Sequence, residues 1–117
     1  MAESALRIDA EELPDDDVVI LRLSGRIDSR TCDDLQQTLQ ALFAEGHRRL
    51  VLDLSKIDYF SSAGLGIFIN TSIAAKESHG NIVLMNPSKP VSTLLNLIGM
   101  HDQLSIAHDF NAALEML

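Results

Sequence analysis

The feature that most constrains this chain is a change of hydrophobic period that repeats along its length. The runs VVILRL (Val18 to Leu23), LVLDL (Leu50 to Leu54) and IVLM (Ile82 to Met85) are apolar and β-branched enough for interior strands. Between them the apolar residues recur at helical spacing. Leu35, Leu39, Leu42 and Phe43 fall at i, i+4, i+7 and i+8 before Gly46, and Val91, Leu94, Leu95 and Ile98 at i, i+3, i+4 and i+7 before Gly99. A further helix from near Ser62 to about His79, with Gly80 as its C′ residue, fills the remaining interval. Leu6 to Ala10 reads as a short edge strand, and EELPDDD (Glu11 to Asp17) as the acidic turn after it. SGRID ends the second strand near Gly25. Leu104 to Ala107 reads as a last strand, and Asp109 as the cap of a closing helix bearing Phe110, Ala113, Leu114 and Leu117.

This order predicts one α/β domain spanning the 117 residues. Its sheet is mostly parallel, with about four or five strands, an antiparallel first strand and about four helices. Open sheets of this kind place their sites at the carboxyl edge of the strands. Three segments are therefore expected to be neighbours: Gly25 to Asp28, Ser55 to Gly64, and Asn86 to Ser88.

Seventeen acidic against nine basic residues give a net charge of -8, which disfavours non-specific attraction to nucleic acid or an anionic membrane. A protein partner fits this surface better. The single cysteine, Cys32, excludes an internal disulfide framework and leaves too few thiols for structural zinc. The amino-terminal stretch has neither the basic nor the apolar region of a secretory signal, so the expected compartment is the cytoplasm. The uncharged run from Tyr59 to Ala75 is too short for a membrane span and is broken by serines and Asn70.

The stretch most suggestive of chemistry is DYFSSAGLGIF, Asp58 to Phe68. A hydrolase elbow needs small residues two before and two after its serine, whereas Phe60 stands two before Ser62. Partner histidines are also misplaced: His47 and His79 precede strands on the opposite edge, and His101 and His108 flank the weak last strand. None of the four has metal-ligand spacing with another. As a phosphate cradle the stretch offers only Gly64 and Gly66, with Ile69 where a dinucleotide fingerprint needs a third glycine, and it lacks the Walker lysine. Both glycines read more simply as places where helix and sheet approach closely. No cofactor is expected.

The remaining option is modification. A serine in the first turn of a helix can carry a phosphate beside unpaired backbone N–H groups. From the residues alone the plainer account, that Ser61 or Ser62 is only an N-cap, stands ahead.

Taken together, LRLSGRID followed by a helix and then RRLVLDLSKIDYFSSAGLGIFI resembles the STAS domain, from about Val18 through the last helix. In its stand-alone members, the bacterial anti-sigma-factor antagonists, the loop reads D-S-S-G-L or D-S-T-G-L. The resemblance implies phosphorylation of the serine two before the glycine, which here is Ser62, by an anti-sigma factor that is a serine kinase. It also implies release of that kinase on phosphorylation, resetting by a PP2C-type phosphatase, and no catalysis by the antagonist itself. Asp28 takes the position that contacts the anti-sigma factor. Gly25, Asp58, Ser61, Ala63 and Gly64 complete the implied contact set. Ser61 replaces the usual aspartate and is an alternative acceptor; Ala63 replaces a hydroxyl residue. The alternative that the resemblance admits is an interaction subunit of a stressosome or a lipid-transport assembly.

Overall fold

The computed structural model describes residues 5–99 and 104–117. His101 lies outside them, as do the first four residues of the amino-terminal stretch. In chain order the elements are β1 (Leu6–Leu13), β2 (Val18–Ile27), α1 (Cys32–Ala44), β3 (Arg49–Phe60), α2 (Ser62–Glu77), β4 (Asn81–Met85), α3 (Lys89–Ile98), β5 (Ser105–Ala107) and α4 (Phe110–Met116). The five strands form one sheet in sequence order, with β1 antiparallel to β2 and every later pair parallel. The expected class and topology are therefore the observed ones.

Strands ordered as in the sequence, joined by crossovers of one hand, place their connecting helices on one face. Leu35 and Leu39 of α1, Leu65 and Phe68 of α2, and Val91 and Leu95 of α3 accordingly share a core with Leu21, Leu52 and Leu84 of the sheet. The other face carries a smaller core, where Ala113 of α4 meets Val18, Ile20, Val51, Val83 and Met85. Strand alternation splits VVILRL between the two cores, which is why this strand is apolar at consecutive positions.

Four expectations need correction. The first strand continues through Glu11 and Glu12 to Leu13, because those residues pair with Ile20 and Val19, and only Pro14 to Asp17 turn. Gly25 does not end β2. It sits at a register shift with φ +104°, where a Cβ would lie 2.2 Å from the Ala5 carbonyl oxygen, and the strand runs on to Ile27. The third strand does not end at Leu54 but continues six residues to Phe60. Two register shifts give it extra residues relative to β2, so its buried side chains there recur every third position: Leu54, Ile57 and Phe60.

At the end of α2 the left-handed residue is His79 (φ 64°), with its N–H on the Lys76 carbonyl and the Gly80 N–H on Ala75, a Schellman closure. Gly80 lies one position beyond C′. It is required there because a Cβ would meet the Arg48 carbonyl oxygen at 2.2 Å. Asp109 caps α4 as expected, accepting the Ala112 N–H at 2.8 Å.

Candidate functional site

The paired ends of β2 and β3 build the site. Ile27 lies opposite Phe60, and the Ser61 N–H donates to the Ile27 carbonyl at 2.9 Å, so the chain turns into α2 beside Asp28. Ser61 is the N-cap, in extended conformation, and Ser62 is the first helical residue. The first helical N–H to find a carbonyl is that of Leu65, on Ser61, which leaves those of Ser62, Ala63 and Gly64 without intrahelical partners.

The two serines differ in environment. Ser62 and Ala63 are exposed, whereas the Ser61 hydroxyl is buried and makes no hydrogen bond, not even a capping one. Gly64 is buried. A Cβ on it would come within 2.3 Å of Ile27 Cγ2 and 3.0 Å of Phe60 Cε1, so the close approach expected of this glycine is real. Phe60 stacks on Phe68 with ring centroids 5.3 Å apart, tying the helix start to the strand end. Gly66 is different: nothing lies within 4 Å of its Cβ position, so close packing does not explain it.

Asp28 is half-buried and held by its own loop. Its Oδ1 accepts the N–H groups of Arg30 (2.9 Å) and Thr31 (3.1 Å), while its own N–H donates to Thr31 Oγ1 at 2.9 Å. This reciprocal pairing closes the D-S-R-T turn just before α1, and Thr31, the N-cap of that helix, also donates to the Arg26 carbonyl at 2.8 Å. The Asp28 carboxyl is held below the ordinary aspartate range, first by the Arg30 N–H. Partial burial opposes that, and the Thr31 N–H and the Arg26 guanidinium reinforce it. It therefore presents a fixed negative charge at neutral pH.

Arg26 spans the rest of the edge. Its guanidinium lies 4.4 Å from the Tyr59 ring centroid and 3.4 Å from Asp28 Oδ2. Asp58 is exposed between Ile57 and Tyr59. Arg26, Tyr59 and Thr31 were not among the expected site residues. The D-x-x-T spacing is a readable signal for Thr31, whereas the Arg26–Tyr59 stack depends on a register that β3 acquires only through its bulges.

The three segments expected to be neighbours meet unevenly. Gly25 to Asp28 pairs along Ser55 to Gly64 as far as the Ser61 turn, whereas Asn86 to Ser88 meets only the start of that second segment, where Ser88 donates its N–H to Leu54, six residues before Phe60 along β3. The reason is the length of β2 and β3, which run past the end of β4 at Met85. His47 and His79 lie at the opposite edge, as expected, and His47 Nε2 is 3.0 Å from Glu12 Oε1. Among the described residues no group of three metal-ligating side chains is assembled, and no helix is long and apolar enough to cross a membrane.

This architecture recurs in known proteins. A family model described as "Mlab, STAS domain" matches residues 4–108. A protein of Bordetella bronchiseptica named as an anti-sigma factor antagonist, BtrV, is 31% identical over 98 residues, covering 84% of each chain. A crystal structure of an anti-sigma factor antagonist from Mycobacterium paratuberculosis superposes with a TM-score of 0.80 at 24% identity, over 98% of this chain and 96% of that one. SpoIIAA in its unphosphorylated form gives a TM-score of 0.75 at 18% identity, over 94% and 96% of the two chains. The chain therefore belongs to the STAS domain family, and the relatives it is similar to are named as anti-sigma factor antagonists.

Proposed function

We propose that this protein is an anti-sigma factor antagonist that binds an anti-sigma serine kinase while Ser62 is unmodified and is released when that kinase phosphorylates Ser62. The γ-phosphoryl group of ATP passes to Ser62 Oγ, which loses its proton, and ADP leaves. The observation that carries this reading is the unequal exposure of two adjacent hydroxyls. Ser62 is open to a kinase at the first position of α2, whereas Ser61 is turned inward. The similarity to BtrV supports the antagonist class, and SpoIIAA itself is known in a phosphorylated form.

The electrostatics are sufficient. A phosphate adds about -1.5 to -2 charges at neutral pH, next to the fixed charge of Asp28 and on the same edge as exposed Asp58. Weakening a complex from ~1 μM to ~1 mM requires about 4 kcal/mol, a cost that a few like-charge contacts desolvated in an interface supply. Asp28, Gly25, Asp58, Ser61, Ala63 and Gly64 form or shape the contact surface. A PP2C-type phosphatase restores the binding form. The antagonist acts in the cytoplasm, catalyses nothing, and neither contacts nucleic acid nor enters a membrane.

The test is peptide mapping after incubation with its cognate anti-sigma kinase and ATP, together with calorimetry of Ser62→Ala and Ser62→Asp against that kinase. One phosphate on Ser62, binding by the alanine variant and at least a hundredfold loss for the aspartate variant are expected. Phosphate on Ser61 alone would overturn the site. A second reading is an interaction subunit of a stressosome or lipid-transport assembly, since the matching family model is described by its STAS domain and not as an antagonist. Co-purification with an ATP-binding-cassette transporter, with no kinase bound, would select it.

A further inference from the structure

The sheet face that α4 covers only in part holds a second feature, separate from the Ser62 edge. This face is apolar beneath α4, where Val18, Ile20, Val51 and Val83 lie, and charged where the seven-residue helix no longer reaches. Across the open part the strand register builds two parallel rows, Arg7–Ser24–Lys56 and Asp9–Arg22–Asp53. They line a cavity of about 430 Å³ together with Ser55.

A regular strand would turn either Ser55 or Lys56 into the core, because successive side chains alternate faces. The extra residue in β3 prevents this. Leu54 and Ile57 are buried, and both Ser55 and Lys56 are exposed and line the cavity. Three of the chain's nine basic residues thereby converge on one spot of a molecule with net charge -8. Arg7 is held by Asp9 at 3.0 Å and Arg22 by Glu11 at 2.6 Å. Among the described residues, the Lys56 ammonium and the Ser24 and Ser55 hydroxyls have no hydrogen-bond or ion-pair partner.

We propose that this cavity binds a phosphorylated sugar. Unengaged cationic and hydroxyl donors on one row suit a phosphate group. The carboxylates of Asp9 and Asp53 on the other accept hydrogen bonds from sugar hydroxyls, and they disfavour ligands that are anionic throughout. The volume lies within the range of small-ligand sites, about 300–1,000 Å³, and exceeds the needs of a bare phosphate. The role of this ligand does not depend on Ser62, which lies beyond the end of β3.

The experiment is an amide NMR titration of the full chain at low ionic strength with glucose 6-phosphate, inorganic phosphate and glucose as probes. Saturable shifts centred on Ser24, Ser55 and Lys56 are expected with the ester, at least threefold weaker binding with phosphate, and none with glucose. Lys56→Gln should raise the Kd about tenfold without moving the unfolding midpoint, since its side chain is exposed and unpaired among the described residues. Absence of saturable shifts there overturns the proposal. So does an unchanged Kd in Lys56→Gln, inorganic phosphate binding as tightly as the ester, or shifts confined to the free N–H groups of Ser62 to Gly64.

Discussion

Gly64 and Gly66 stand two residues apart in α2 for different reasons. Gly64 has no room for a side chain, because Ile27 and Phe60 occupy the space a Cβ needs. Gly66 has that room, in the interior of a helix where glycine is unfavourable by about 1 kcal/mol relative to alanine. Opposite outcomes follow for one chemical change. Gly64→Ala should destabilise by about 1–3 kcal/mol through overpacking, and Gly66→Ala should stabilise by about 1 kcal/mol; urea denaturation of both variants measures this. If the two shift stability in the same direction, the packing argument for Gly64 fails. Asp28 gives a prediction in pH. Its depressed pKa means that its contribution is complete above the unfolded-state value of about 3.9 and is lost as pH falls through the lower folded-state value. The stability gap between the wild type and Asp28→Asn should therefore be widest near neutrality and close below about pH 4. A gap independent of pH would mean that the carboxylate charge is not what Arg30 and Thr31 hold.

Among the elements, β3 explains what the sequence could and could not disclose. LVLDL reads as a strand because it alternates within a double-sided core, but LSKIDYF places its apolar residues every third position, which fits neither strand nor helix period. Only the pairing with β2, shifted twice, turns that spacing into one buried row. The same pairing carries the Ser61 turn beyond reach of Asn86 to Ser88, so the serines and Asp28 were legible as neighbours whereas the third segment meets only the start of the Ser55 to Gly64 stretch. The helices were easier to read, since their stops are local: Gly46 and Gly99 both take positive φ, at 97° and 71°. α4 was legible through Asp109, and its brevity makes that cap important. Seven residues are too few for an isolated helix, so α4 depends on the cap and on Ala113 against the second core. Asp109→Ala should lower stability by about 1 kcal/mol and raise amide exchange in α4 before any other helix. Uniform loss of protection across all four helices would contradict that order.

For the molecule as a whole, the question is whether a phosphate at Ser62 refolds the domain or only changes its surface. The modified residue is anchored on both sides by packing that the phosphate does not touch: Phe60 on Phe68 beneath the turn, and Leu65 in the main core. Its phosphate would meet three N–H groups that have no intrahelical partner, a favourable environment worth about 0.3–1 kcal/mol at an exposed helix start. Against this stands repulsion from Asp28 and from a chain already at net charge -8. Both effects are small beside a folding free energy of about 5–15 kcal/mol, and they oppose each other. The phosphorylated protein should therefore melt within about 3 °C of the unmodified one, with amide shift changes confined to Ile27, Asp28 and Ser61 to Leu65. Scanning calorimetry and NMR of the two forms decide it. Shift changes reaching α4 or the β1–β2 hairpin would show that the switch works through the fold, and the account of partner release as exclusion at one edge would have to be abandoned.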